Sequence, residues 1–362
     1  MPEAAMDAEE LLRRAQDADV VSGENLHQLD LRGADLAALR FDKCDLARLD
    51  LSGADLTDCQ FTHCHLTGCR FDGARLAGTV FYGCEFDAVS LVECHIENAN
   101  WHECTLRNLV FDRVQLRFAA FSKGELDNVR FREARLEQFI MANTHCGALD
   151  FNGAQLQRAV LLECDLRQAD FSGARFEIVV LTKSNLAGQR FPGQAFSFTQ
   201  FSEADLSGCD FSQARLPQCN FTSARLPGAR FNGAQAPQAI FLQADLEGAD
   251  FAGADLTQAI WQGARAARAS FLRSNLYQGN LVSADLSQAD MRGADLTYAD
   301  LSHANLEDAN LSGAGLFRAK LHRIRDRGAY FTDRARALGD DPEQVAAENW
   351  RPQPRTQGKG EH

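Results

Sequence analysis

The residues of this 362-residue chain best equipped for chemistry are eleven cysteines and nine histidines, and two stretches crowd them together. Thr62-His63-Cys64-His65 places a thiol between two imidazoles, and the run from Cys94 to Cys104 holds His95 and His102. Thiolate and imidazole at close spacing form the donor set of tetrahedral zinc. Carboxylates are the second candidate, since Asp recurs in steps of five, as at Asp245, Asp250 and Asp255. Paired carboxylates do acid and base chemistry where a concave, partly dry site drives their pKa values apart. No nucleophile elbow, phosphate loop or zincin helix accompanies them.

What positions these residues is a repeat. From Leu26 to Leu321 every fifth residue is large and apolar, except Cys146, Ala236 and Ala266, through sixty pentapeptides in one phase. A period of five fits neither an amphipathic helix nor a half-exposed strand. The two residues before each centre lean to Ala or Cys and then Asp or Asn, as in Ala254-Asp255-Leu256 and Ala304-Asn305-Leu306. Phe is nearly confined to centres ending in 1, as in Phe201 to Phe251 at ten-residue steps, with Phe86, Phe176 and Phe196 as departures.

These residues resemble the pentapeptide repeat family, whose consensus is A-(D/N)-L-x-x. The resemblance covers about five sixths of the chain and implies an all-β solenoid, a right-handed quadrilateral β-helix with four pentapeptides per coil. On a twenty-residue coil, a ten-residue alternation puts Phe on two opposite walls and Leu on the other two, which fills a narrow bore. Sixty pentapeptides make about fifteen coils, a rod of about 70 Å at the strand spacing of stacked β-structure. The expected organisation is a helical cap over residues 1–22, the β-helix over 23–322, a helical cap over 323–349 and a disordered tail over 350–362. A stacked sheet leaves raw edges at both ends, which caps must cover. Leu11 and Leu12 fall on one side of the first cap, while Ile324, Tyr330, Phe331 and Leu338 are available to dock the second.

The register also decides the chemistry. Ten cysteines stand two residues before a centre, and Cys146 stands at one, so all eleven face inward as Ala substitutes. Their histidine neighbours face outward, and one Zn²⁺ does not collect both. A carboxylate in every repeat is a turn device. The expectation is therefore no enzyme, no cofactor and no metal. The start MPEAAMDAEELLRRAQ lacks an apolar secretory core, and no window is apolar enough to span a bilayer. The expectation is a cytoplasmic chain without direct contact to nucleic acid or membrane.

Function then falls to the outside. At twenty-residue steps before the centres of one wall stand Val80, Asn100, Ala120, Ile140, Val160, Val180, Gln200, Asn220, Ile240 and Ile260. Tyr82, Leu162 and Leu242 flank them on one side, and Phe118, Ile178 and Phe198 on the other. Although Val and Ile also favour extended backbone, the other walls lack this enrichment. Apolar surface of that extent marks a contact with a protein partner or a second copy of the chain.

Two further resemblances bear on the partner. Gyrase-protecting members of the family are acidic rods that imitate DNA, and the net charge of −13 permits this. Arg130, Arg135, Arg175, Arg190, Arg215, Arg225, Arg230 and Arg265 interrupt the acidity, however. The organisation is also similar to that of long bacterial pentapeptide-repeat proteins linked to type VI secretion, with a helical lead-in, a Cys- and Phe-rich first half and a cleaner second half. That likeness implies an adaptor or chaperone for effector loading, its partner a secretion effector, a spike protein or a companion adaptor.

Overall fold

The computed structural model describes residues 6–17 and 19–351. Each coil templates the next through main-chain hydrogen bonds at a register of twenty residues. Leu26 N–H donates to Asp45 O at 2.8 Å, and Asp45 N–H to Glu24 O at 2.9 Å. Parallel pairing runs from Val20 opposite Arg40 to Lys320 opposite Leu338, giving a four-sided β-helix of about 16 turns.

The walls take their names from their centres. The first holds Val21, Phe41, Phe61, Phe81, Trp101 and Phe121, and carries eight strands from Val20–Ser22 to Val160–Leu162. The second (Leu106, Leu126, Cys146), third (Phe111, Phe131, Phe151) and fourth (Leu116, Leu136, Leu156) follow at five-residue steps. The fourth holds a six-stranded sheet from His95–Glu97 to Phe196–Ser197. The second residue after most centres turns the corner with left-handed backbone, as Gly33, Gly53 and Asn98 do. Asp or Asn before the centre braces that corner: Asp55 Oδ1 accepts from the Thr57 N–H at 3.0 Å, and Asp295 Oδ1 from the Thr297 N–H at 2.9 Å.

The bore bears out the alternation of Phe and Leu. Rings within a wall stack coil on coil, Phe201 on Phe221 at 5.0 Å on the first wall and Phe231 on Phe251 at 4.7 Å on the third. Rings on these opposite walls meet edge-on, as Phe221 meets Phe231 at 5.8 Å. This edge-to-face arrangement suits ring quadrupoles better than a flat sandwich. Where Trp261 enlarges one centre, the next is Ala266. Phe139, Leu149 and Val179, at positions usually held by Ala, are also fully or nearly fully buried. Gln189 and Gln194 at such positions turn their amides to the carbonyls of Ala169 and Ala174 in the preceding coil.

The ends differ from expectation. Helix α1 (Ala8–Gln16) is capped by Asp7, whose carboxylate accepts from the Glu10 N–H at 2.8 Å. It buries Leu11 but leaves Leu12 exposed. The first coil already begins at Val20 rather than at residue 23. At the other end the repeat does not give way to helices at 323. Arg325 pairs with Asn305, Tyr330 with Asn310 and Leu338 with Lys320, so a further coil lies over residues 323–338. That coil contains only one 3₁₀ turn, Arg334–Arg336, and helix α2 (Pro342–Asn349) follows it. The expected tail falls outside the described residues from 352 onward. No helix among the described residues is long and apolar enough to cross a membrane.

Candidate interaction surface

The thiols lie in the wall of the bore. All eleven are buried and unbridged. Several donate to carbonyls of the preceding coil, Cys59 Sγ to Leu36 O at 2.9 Å, Cys69 Sγ to Leu46 O at 2.8 Å and Cys94 Sγ to Phe71 O at 2.8 Å. Burial pushes the thiols of Cys59, Cys69, Cys94 and Cys209 up to about 12, so thiolate is scarce at neutral pH. Cys64 points inward while His65 lies outside, 3.4 Å from Glu85. His102 accompanies Tyr82, its ring stacked at 5.6 Å, and bonds Ser122 Oγ at 2.8 Å. We expect a thiol reagent in mild alkali to leave all eleven cysteines unlabelled in the native chain and to label them all after denaturation. Rapid native labelling of even two would refute their placement in the bore.

The outward apolar residues of the first wall do share one ladder. Val80, Asn100, Ala120, Ile140, Val160, Val180, Gln200, Asn220, Ile240 and Ile260 pair consecutively. It is a chain of patches rather than one stripe. Asn220 Nδ2 donates to Gln200 Oε1 at 3.0 Å and inserts a polar rung between Val180 and Ile240. Asn100 likewise separates Val80 and Tyr82 from the rest. Ile240, Ile260 and Leu242 form a half-buried distal patch. The middle patch gathers Ile140, Val160, Leu162 and Val180, with Ile178 and Phe198 on adjoining corners and Phe118 further toward the N-terminus.

Those corner residues are the unusual ones. Phe118, Ile178 and Phe198 occupy left-handed turn positions, with φ of 54°, 54° and 52°. The same column holds Gly78 and Asn98 at φ of 69° and 57°. A β-branched or aromatic side chain is strained there, and burial does not compensate it, since the three remain 37%, 43% and 52% exposed. Ile140 beside them is 43% exposed.

Several charges pair across coils. Arg70 reaches Asp50 at 3.8 Å, Arg75 reaches Asp55 at 3.7 Å and Arg225 reaches Asp205 at 3.5 Å. On the second wall Asp205, Arg225, Asp245, Arg265 and Asp285 follow one another with alternating sign.

Sequence comparison agrees with this geometry. The model described as pentapeptide repeats (8 copies) matches residues 25–58, 150–188, 196–235, 214–251, 249–288 and 280–313, more than half of the chain. A second, the pentapeptide repeat region, matches residues 54–131. The chain belongs to the pentapeptide repeat family. Among solved pentapeptide repeat structures it is similar to HetL, involved in heterocyst differentiation regulation in the cyanobacterium Nostoc. Identity there is 22% over 87% of this chain and 96% of HetL, at a TM-score of 0.22. It is also similar to QnrB1, a plasmid-mediated fluoroquinolone resistance protein, at 18% identity over 46% of this chain and 96% of QnrB1, with a TM-score of 0.24. A pentapeptide repeat protein of the Arabidopsis thaliana thylakoid lumen shares 28% identity over 41% of this chain and 77% of its own length, with a TM-score of 0.15. Scores this low transfer no partner or activity. No curated protein matches the chain in sequence.

Two surface features escaped sequence reasoning. Half-buried Tyr277 and exposed Tyr298 and Phe317 make an edge-to-face file at 6.0 and 5.7 Å near the C-terminal end of the fourth wall. Their spacings of 21 and 19 residues alternate between two columns, which hides them from a search at twenty. The imidazoles of His303 and His322, 19 residues apart, also meet, with ring centroids 5.3 Å apart.

Proposed function

We propose that this chain is a non-catalytic interaction rod whose middle apolar patch receives a protein partner. The observation that carries the reading is the set of large apolar side chains at Phe118, Ile178 and Phe198, held in strained corners and left exposed. Strain that the fold itself does not use is a sign of function. The stacked bore is filled by side chains, and the grooves found among the described residues are open to solvent. Val80, Tyr82, Ile240, Ile260 and Leu242 form secondary patches of the same surface.

In its finer form the rod is an adaptor or chaperone in effector loading for bacterial type VI secretion, a form supported by organisation alone. Imitation of duplex DNA toward gyrase is less favoured, because the ladder from Asp205 to Asp285 alternates in sign and the ion pairs across coils shorten the reach of each carboxylate.

The test is capture and sedimentation with the chain carrying both Val160→Asp and Val180→Asp. We expect the wild-type rod to capture a secretion effector, spike protein or companion adaptor, or to self-associate. The double variant should lose that binding by at least about tenfold, equivalent to about 1.4 kcal/mol, with circular dichroism unchanged. Equal binding and equal oligomeric state in both proteins would reduce the patch to strand propensity. Inhibition of purified gyrase by the wild-type rod would favour DNA imitation instead.

A further inference from the structure

Helix α2 buries none of its residues, yet it lies against the last two coils. Its attachments are polar. Arg323 Nε sits 2.8 Å from Glu348 Oε2, and the Asp341 N–H, at the mouth of the helix, donates to His322 Nδ1 at 3.1 Å. A further contact is a convergence of three side chains from three separate segments. His303 comes from one coil, His322 from the next, and Glu348 from the last turn of α2. Glu348 Oε1 is 3.0 Å from His303 Nε2 and 3.3 Å from His322 Nε2. All three ligand atoms lie within 4.8 Å of one another.

The two separations from Glu348 Oε1 are those of neighbouring ligands in a coordination shell. Zinc bonds of about 2.0–2.1 Å to nitrogen and oxygen in a tetrahedron place neighbouring ligand atoms roughly 3.3 Å apart. Two imidazole nitrogens and one carboxylate oxygen are ligands that Zn²⁺ accepts, and water takes the fourth corner. His322 is buried and held between Asp341 and Glu348, so its ring is already oriented. We propose that His303, His322 and Glu348 bind one Zn²⁺, which clamps helix α2 to the end of the rod.

The competitor for the site is a proton. With the Asp341 N–H donating to His322 Nδ1, the ring proton sits on Nε2 and faces Glu348. The ion takes Nε2 and the proton moves to Nδ1, where the Asp341 N–H can no longer donate, so that amide must turn away when the ion binds. Arg323 holds the other oxygen of Glu348 and offsets the charge that the carboxylate brings. The buried thiols take no part.

The experiment strips the full chain with a chelator and titrates it with Zn²⁺ against a chromophoric competitor, with Co²⁺ as a spectroscopic substitute. We expect one ion per chain with a Kd of about 1 µM or tighter. Tetrahedral Co²⁺ bands should appear without the thiolate charge-transfer band, and hydrogen exchange across α2 should slow when Zn²⁺ is added. His303→Ala and Glu348→Gln, both outside the bore, should each weaken binding by roughly 100-fold or more, at least the upper range seen for supporting residues. Absence of binding, binding that survives both substitutions, or exchange in α2 unaffected by Zn²⁺ would each overturn the proposal.

Discussion

Phe221→Ala is expected to destabilise the rod by about 3–5 kcal/mol, the range for removing a buried aromatic ring. The ring stacks between Phe201 at 5.0 Å and Phe241 at 4.9 Å. It also meets the edges of Phe211 at 6.1 Å and Phe231 at 5.8 Å. Collapse into the gap is blocked, because the backbone on either side is pinned to both neighbouring coils. The Asn220 N–H donates to Thr199 O and the Phe221 N–H to Ile240 O. The cavity therefore persists, and the loss should fall in the upper part of the range for core truncations. In a solenoid, stability is nearly a sum of coil and neighbour terms, so the substitution should also divide unfolding into two steps near this coil. Denaturant unfolding followed by tryptophan fluorescence measures both, since Trp101 and Trp261 lie on opposite sides of residue 221. A loss below about 1 kcal/mol would mean that the bore adapts, contrary to the close packing that makes core vacancies costly.

The inside of this rod was legible in its sequence because burial imposes one demand on every repeat. Centre residues fill a bore of fixed width, so Phe on two walls, Leu on the other two and the cysteines as Ala substitutes could be read before any coordinates. The last coil was not legible for a related reason. Residues 323–338 pack only Ile324, Ala329, Phe331 and Ala337, all partly buried, against the core, while Tyr330 and Leu338 stay exposed, so their conformation leans more on hydrogen bonds to the coil before them than on apolar centres. Asp326 stands where Leu would be expected and pairs with Arg334 instead. The return to Lys320 comes 18 residues later, at Leu338, which also breaks the phase. The outer surface was legible only as departures from the repeat. The sequence identified the apolar ladder, but the rung of Gln200 and Asn220 that divides it depends on an amide hydrogen bond. The strain at Ile178 depends on knowing that its corner is left-handed. The meeting of His303, His322 and Glu348 depends on a helix that folds back over the last coils, and no spacing along the chain announces that.

The strained corners supply the sharpest test, because structure and binding should respond to one change in opposite directions. Ile178→Asn combined with Phe198→Asn should leave stability unchanged or raise it by about 1 kcal/mol for each substitution, while partner binding or self-association falls at least tenfold. Left-handed backbone costs an ordinary residue roughly 1–2 kcal/mol, and Asn tolerates it through its short polar side chain. Against that gain stands the apolar area that Ile178 and Phe198 bury within the rod. A fully buried side chain of this kind contributes about 1.5–3 kcal/mol, and these two are about half exposed, so the loss is roughly half as large. The terms nearly cancel or favour Asn, as the Asn already present at residue 98 of the same column suggests. Binding has no such compensation, since nothing else replaces the two side chains on the surface. Thermal unfolding and sedimentation of the double variant read the two responses separately. If stability falls by more than about 1 kcal/mol while association persists, the corner residues are packing elements of the rod, and the interaction surface must lie elsewhere.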